Sequence, residues 1–191
     1  MSDLIVETTY FEEPGPKNTM RTLEIAERRA DELGIETILV ASTRGWTGAQ
    51  AAELFQGRNL VVVSHSTGFT ELNKQELTEE NRSAIEAAGA TILTSQHAFG
   101  GVNRAVRKHL GTHLTDEIIA YTLRAFGEGT KVCIEISLMA ADAGLVVAGK
   151  PCIAIAGSGR GADTAITLIP ANAQQFFDVR VMEILAKPRL A

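Results

Sequence analysis

Glycines 157, 159 and 161, with Ser158 and Arg160 between them and Asp163 and Thr164 just after, are the densest collection of groups in the chain able to hold an anion. Glycine takes positive φ and lets backbone amides approach a ligand, and successive exposed N–H groups form a concavity that suits phosphate. Arg160 adds a charge and a bidentate fork. The spacing is G-x-G-x-G rather than the G-x-G-x-x-G of dinucleotide sites, and the run that follows reads as strand, not helix. Position 156 is alanine, so Ser158 does not sit in a G-x-S-x-G elbow. On these residues alone, a tight hairpin turn and a ligand loop are equally good readings.

Two other stretches carry chemistry. Ser42-Thr43-Arg44-Gly45-Trp46-Thr47 offers hydroxyls and a guanidinium between an apolar run and a helix expected over about 48–56, where Thr47 and Gln50 have capping-box spacing. His65, within Ser64–Gly68, and His97, within Gln96–Gly101, each follow an apolar run, where functional groups of α/β sheets collect. They read as polar lining, or as the only candidates for proton transfer. The four histidines have no ligand-like spacing with cysteine or carboxylate, and no Ser/His/Asp order can be argued without geometry. Neither a metalloenzyme nor a hydrolase is expected. Cys133 and Cys152 sit inside apolar runs and read as buried thiols.

The elements that must position these groups alternate. Apolar runs at 37–41, 59–63, 91–95 and 152–155 read as strands buried on both faces, separated by helices expected at 20–33, 48–56 and 78–88. Glu79 and Glu80 stand in the first turn of the third helix, where the dipole favours them. Repeated strand-and-helix alternation predicts a parallel sheet covered on both sides. A β-like run at 4–10 precedes the first helix, and a strand at 165–169, following the glycine loop, can run antiparallel to the others. The helix at 102–109 puts Val102, Ala105, Val106 and His109 on one face and Arg104, Arg107 and Lys108 largely away from it, as a solvated basic face. The helix at 130–143 is apolar nearly all round, which places it in the core or at a subunit interface. Glu135 lies on its polar stripe, as part of an interface network or as an acid facing the pocket.

With 45% hydrophobic residues in a chain of 191, a single domain over 1–191 is expected. Eighteen basic against 23 acidic residues, with 5% aromatic, give no nucleic-acid footprint. The acidic start and short apolar runs predict no targeting segment and no membrane span, hence a cytoplasmic protein.

PGPKNT near residue 14, ASTRGWT at 41, VVSHSTGF at 62, YTLRAFGEGTKVCIEISLMAADAGL from 121, AGSGRGADTA from 156 and EILAKPR from 183 together carry a nearly full-length resemblance. The chain resembles the standalone proteins related to the C-terminal α/β domain of pyruvate kinase. The resemblance implies a single doubly wound, mostly parallel sheet with an antiparallel edge strand, and an order that makes the strands at 37 and 152 neighbours. Pyruvate kinase's catalytic barrel does not fit in 191 residues, so phosphoryl transfer by its mechanism is not expected. The sugar bisphosphate effector does not carry over either, because this chain reads Thr43-Arg44-Gly45-Trp46-Thr47 where that enzyme has a Ser-Gly-Arg-Ser/Thr order. For the standalone family the resemblance implies flavin mononucleotide (FMN). Its phosphate would sit among residues 42–47 and Gly157, Ser158, Gly159, Arg160, Gly161 and Thr164, with Trp46 as a wall for the ring. Asp163 would brace the loop or meet a ribityl hydroxyl. A flavin-dependent redox step is the reaction expected if there is one. A sugar phosphate or nucleotide acting as a regulatory signal is the alternative ligand. Self-association into a homo-oligomer is also expected, and a purely structural role for such an oligomer is the third reading.

Overall fold

The computed structural model describes residues 3–190. Its strands are β1 (Thr9–Phe11), β2 (Thr37–Ala41), β3 (Asn59–Ser64), β4 (Thr91–Thr94), β5 (Cys152–Ala156), β6 (Thr164–Ile169) and β7 (Arg180–Pro188). They form one sheet in the order β1-β7-β6-β5-β2-β3-β4. β2 is parallel to β3 and β5, and β3 to β4, so the four expected strands are parallel neighbours; β4, however, is the edge strand and buries only Leu93, not both faces. β6 runs antiparallel to both β5 and β7. Beyond it the edge is completed by β7, parallel to β1. The run expected at 4–10 contributes strand only from Thr9.

Alternation along the strands divides the core in two. Ile38, Val40, Leu60, Val62, Ile153 and Ile155 point to one face, where Leu23 and Ala26 of α1 (Thr19–Leu33), Ala51 of α2 (Trp46–Leu54) and Ile85 of α3 (Glu79–Ala87) cover them. Leu39, Val61, Val63, Ala154 and Ala156 point to the other, under Cys133, Ile136 and Ala140 of α6 (Glu128–Asp142). Burial on both faces explains why these strands are continuously apolar, and each fully buried Ile or Leu contributes about 1.5–3 kcal/mol.

α6 lies against β2, β5 and β6 and is roofed by α5 (Thr115–Arg124) and the 3-10 turn Ala173–Asp178, so its all-round apolar surface is spent within the chain. It approaches β6 so closely that a Cβ at Gly129 would lie 2.1 Å from Thr164 Oγ1. α4 (Val102–Leu110) reverses its expected orientation. Val102 and Leu110 are 65% and 68% exposed, while Arg104 lies over the Phe69 ring and Arg107 pairs with buried Glu117. His109 is exposed rather than at the core edge, because the arginines' stems and charges have better partners on the inner side.

Candidate functional site

Because β5, β2, β3 and β4 are parallel neighbours, the loops that follow them line one end of the sheet: 157–163, 42–45, 65–78 and 95–101. The helix after β2 covers one face, and the return to β5 runs through α6 on the other, so the boundary between β2 and β5 is the topological switch point. Val40 pairs with Ile155, which sets the 42–47 and 157–161 loops side by side.

The glycine loop is built around Asp163, which is fully buried. Its carboxylate accepts from the Gly15 amide at 2.9 Å, the Ser158 amide at 3.2 Å, the Ser158 hydroxyl at 3.3 Å and the Thr164 hydroxyl at 3.0 Å. Bracing is therefore its role. Thr164, also buried, donates its hydroxyl to Asp163, and the Ser158 amide is already committed. Two of the glycines serve backbone packing: a Cβ at Gly157 would lie 2.4 Å from the Gly161 carbonyl, and one at Gly161 2.5 Å from Pro16 Cα. The exposed tip is Gly159 and Arg160, whose amides have no hydrogen-bond partner among the described residues.

Across the boundary, α2 starts at Trp46, earlier than the capping-box spacing predicts. Thr47 is buried inside the helix and does not cap it; the Ser42 hydroxyl accepts from the Gly48 amide at 3.0 Å instead. Gly45 precedes the helix at φ +95, with Leu77 and Asn81 filling the space a side chain would need. The Arg44 carbonyl is held by the Asn81 side chain at 2.9 Å, leaving its guanidinium exposed. The Trp46 and Thr47 amides have no partner among the described residues, and the Trp46 ring is 48% exposed.

The histidines meet. The ring centroids of His65 and His97 are 5.2 Å apart, with Phe69 tilted at 4.1 Å from the first and stacked at 4.8 Å from the second. His65 Nε2 is 3.2 Å from Thr43 Oγ1 and its Nδ1 is 2.9 Å from Glu76 Oε2. His97 Nδ1 stands 3.8 Å from Glu135, which also accepts the Phe99 amide and pairs with Lys131 one turn earlier on α6. Burial pushes the Glu135 carboxyl up, but His97 and Lys131 outweigh it and hold it down at about 2. Glu135 thus turns inward beneath His97, whereas Asp142, seven residues further along α6, holds the Ala173 amide and the Asn172 side chain at the surface. Glu76 and Phe69 are the members the sequence did not reveal: both lie in the irregular segment between β3 and α3, where no periodicity signals a direction.

Residues 5–168 match the family described as pyruvate kinase, alpha/beta domain. Among solved structures, a pyruvate kinase from Cryptosporidium parvum is similar at 10% identity and a TM-score of 0.34, over 71% of this chain and 19% of that one. Cryptosporidium parvum pyruvate kinase in complex with ADP gives 10% identity and a TM-score of 0.36, over 86% of this chain and 23% of that one. The chain thus spans less than a quarter of the length of these enzymes.

Proposed function

The chain belongs to the family of the pyruvate kinase alpha/beta domain, and on that premise we propose that the switch point between β2 and β5 binds a phosphorylated ligand, flavin mononucleotide. The observation carrying this reading is the pairing of β2 with β5, which sets two donor-rich loops side by side. One brings the free amides of Gly159 and Arg160 with the Arg160 guanidinium. The other brings the free amides of Trp46 and Thr47 at the positive end of α2, with the Arg44 guanidinium and the Thr43 hydroxyl. A phosphate dianion needs several N–H donors and a compensating charge, and this set fits it. Thr164, Asp163 and the Ser158 amide hold the loop's shape rather than the ligand. Trp46 gives the flavin ring an aromatic wall. When bound, the flavin would supply redox chemistry; the chain's own part is to bind and orient it.

The test is the visible absorption spectrum of the purified protein, followed by titration with FMN, riboflavin and fructose 1,6-bisphosphate. FMN is expected to bind more tightly than riboflavin. Equal affinities would remove the phosphate from the recognition, and a preference for the bisphosphate would turn the site into a regulatory one. We place the protein in the cytoplasm, where its two buried free thiols stay reduced. Among the described residues no helix is long and apolar enough to cross a membrane. We also propose a homo-oligomer, formed through the exposed Ile118, Tyr121 and Phe126 at α5 rather than through enclosed α6. Sedimentation at the 20.5 kDa monomer mass alone, at micromolar concentration, would overturn it.

A further inference from the structure

A hydroxyl, an imidazole and a carboxylate stand in line at the ends of β2 and β3. Thr43 Oγ1 is 3.2 Å from His65 Nε2, and His65 Nδ1 is 2.9 Å from Glu76 Oε2. An ionised carboxylate only accepts, so Glu76 accepts from the Nδ1 N–H, and in that tautomer the bare Nε2 faces the threonine hydroxyl. Phe69 packs on the imidazole and Arg104 lies over the Phe69 ring, which limits rotation of His65. Thr43 and His65 are both half-buried. The order nucleophile, base, orienting acid is what activates a hydroxyl. The sequence predicts no such order because Glu76 follows His65 by eleven residues of irregular loop and only folding brings it round.

We propose that Thr43, His65 and Glu76 form a nucleophilic relay that transfers the acyl group of a small carboxylic ester to water. Thr43 Oγ1 forms a bond to the acyl carbon as the bond from that carbon to the leaving alcohol breaks. His65 Nε2 takes the hydroxyl proton and delivers it to the departing oxygen. Water then attacks the acyl-threonine, giving its proton to Nε2, which returns it to Thr43. The amides of Trp46 and Thr47, free and just past the nucleophile, are the donors assigned to the oxyanion. Phe69 and the half-exposed Trp46 give the acyl chain an apolar wall. Thr43 and His65 are the catalytic residues, and Glu76 positions the base. No cofactor enters the cycle, but the relay shares the Thr43 hydroxyl, the Trp46 and Thr47 amides and the Trp46 ring with the flavin proposal, so it acts only while that site is free of FMN.

The experiment uses flavin-free protein with p-nitrophenyl acetate and, separately, a fluorophosphonate. A burst of nitrophenol and a covalent adduct mapped to Thr43 are expected. Thr43→Val and His65→Asn should lower turnover by about 10²-fold or more, while Thr43→Ser keeps it. Glu76→Gln should lower kcat with KM unchanged and shift the pH profile, with Glu76→Asp rescuing part of the rate. An adduct on another residue, or turnover surviving in folded Thr43→Val, overturns the proposal. Folded wild-type protein with neither burst nor adduct overturns it too. If Thr43→Val does not fold, adduct mapping in the wild type and the Glu76→Gln kinetics decide.

Discussion

The glycine loop after β5 and the loops after β2 and β3 occupy the same end of the sheet but are built by opposite means. In the first, a buried carboxylate gathers two backbone amides and two hydroxyls, and backbone packs on backbone where Gly157 and Gly161 lack side chains. In the second, side chains hold one another: Thr43 with His65, His65 with Glu76, and Phe69 with both His65 and His97. Dense glycine thus marks where main chains come close, and only its tip, Gly159 and Arg160, is free for a ligand. Reactive geometry is assembled instead from residues scattered along the sequence.

If the side-chain-built region rests on buried charge, the costliest change lies beneath it. Glu135→Gln leaves the Lys131 ammonium buried without its partner, and a loss of about 3–5 kcal/mol is expected in denaturant titration. The wild type should show the same dependence in pH. A carboxyl with an ordinary value of 4.5, held at about 2 by folding, stabilises fully above pH 4.5, and that stabilisation fades as pH falls toward 2. The slope of melting temperature against pH in that window should flatten in Glu135→Gln.

Asp163→Asn tests the other region. It keeps the shape but weakens charge-assisted bonds to four donors, and an unfolding free energy lower by about 2–3 kcal/mol is expected. The glycines should then separate by position. Gly161→Ala, at φ +71 and against Pro16 Cα, should cost about 2 kcal/mol, whereas Gly159→Ala, at φ +151 in open space, should cost about 1 kcal/mol. Equal costs at 159 and 161 would break the distinction between packed base and free tip. Thr43→Val should change stability by no more than about 1 kcal/mol, since it removes one half-buried hydroxyl; a larger loss would make Thr43 a structural residue.

The central sheet was legible because β2, β3 and β5 are buried on both faces and their apolar runs are unbroken. β7 was not, since Val181 and Met182 remain exposed while Leu185 and Ala186 are buried, a mixture no periodicity captures. The site was legible as loops after strands but not as bonds. Ser42, five residues before the expected cap at Thr47, supplies the hydroxyl that Thr47 was expected to provide, because the helix begins at Trp46 and draws Thr47 inside. α4 misled because its arginines find Phe69 and Glu117, partners from distant parts of the sequence.

α1 is docked by strands that lie far downstream of it in the sequence. Thr19 receives the Ala162 amide across 143 positions, and Arg29 of the same helix clasps Glu183 across 154. Such long closures must be completed before they stabilise anything, which slows folding. During translation α1 therefore waits, its apolar face uncovered, until β6 and β7 have left the ribosome, and the half-made sheet is the state in which this chain is most exposed to aggregation and to chaperones.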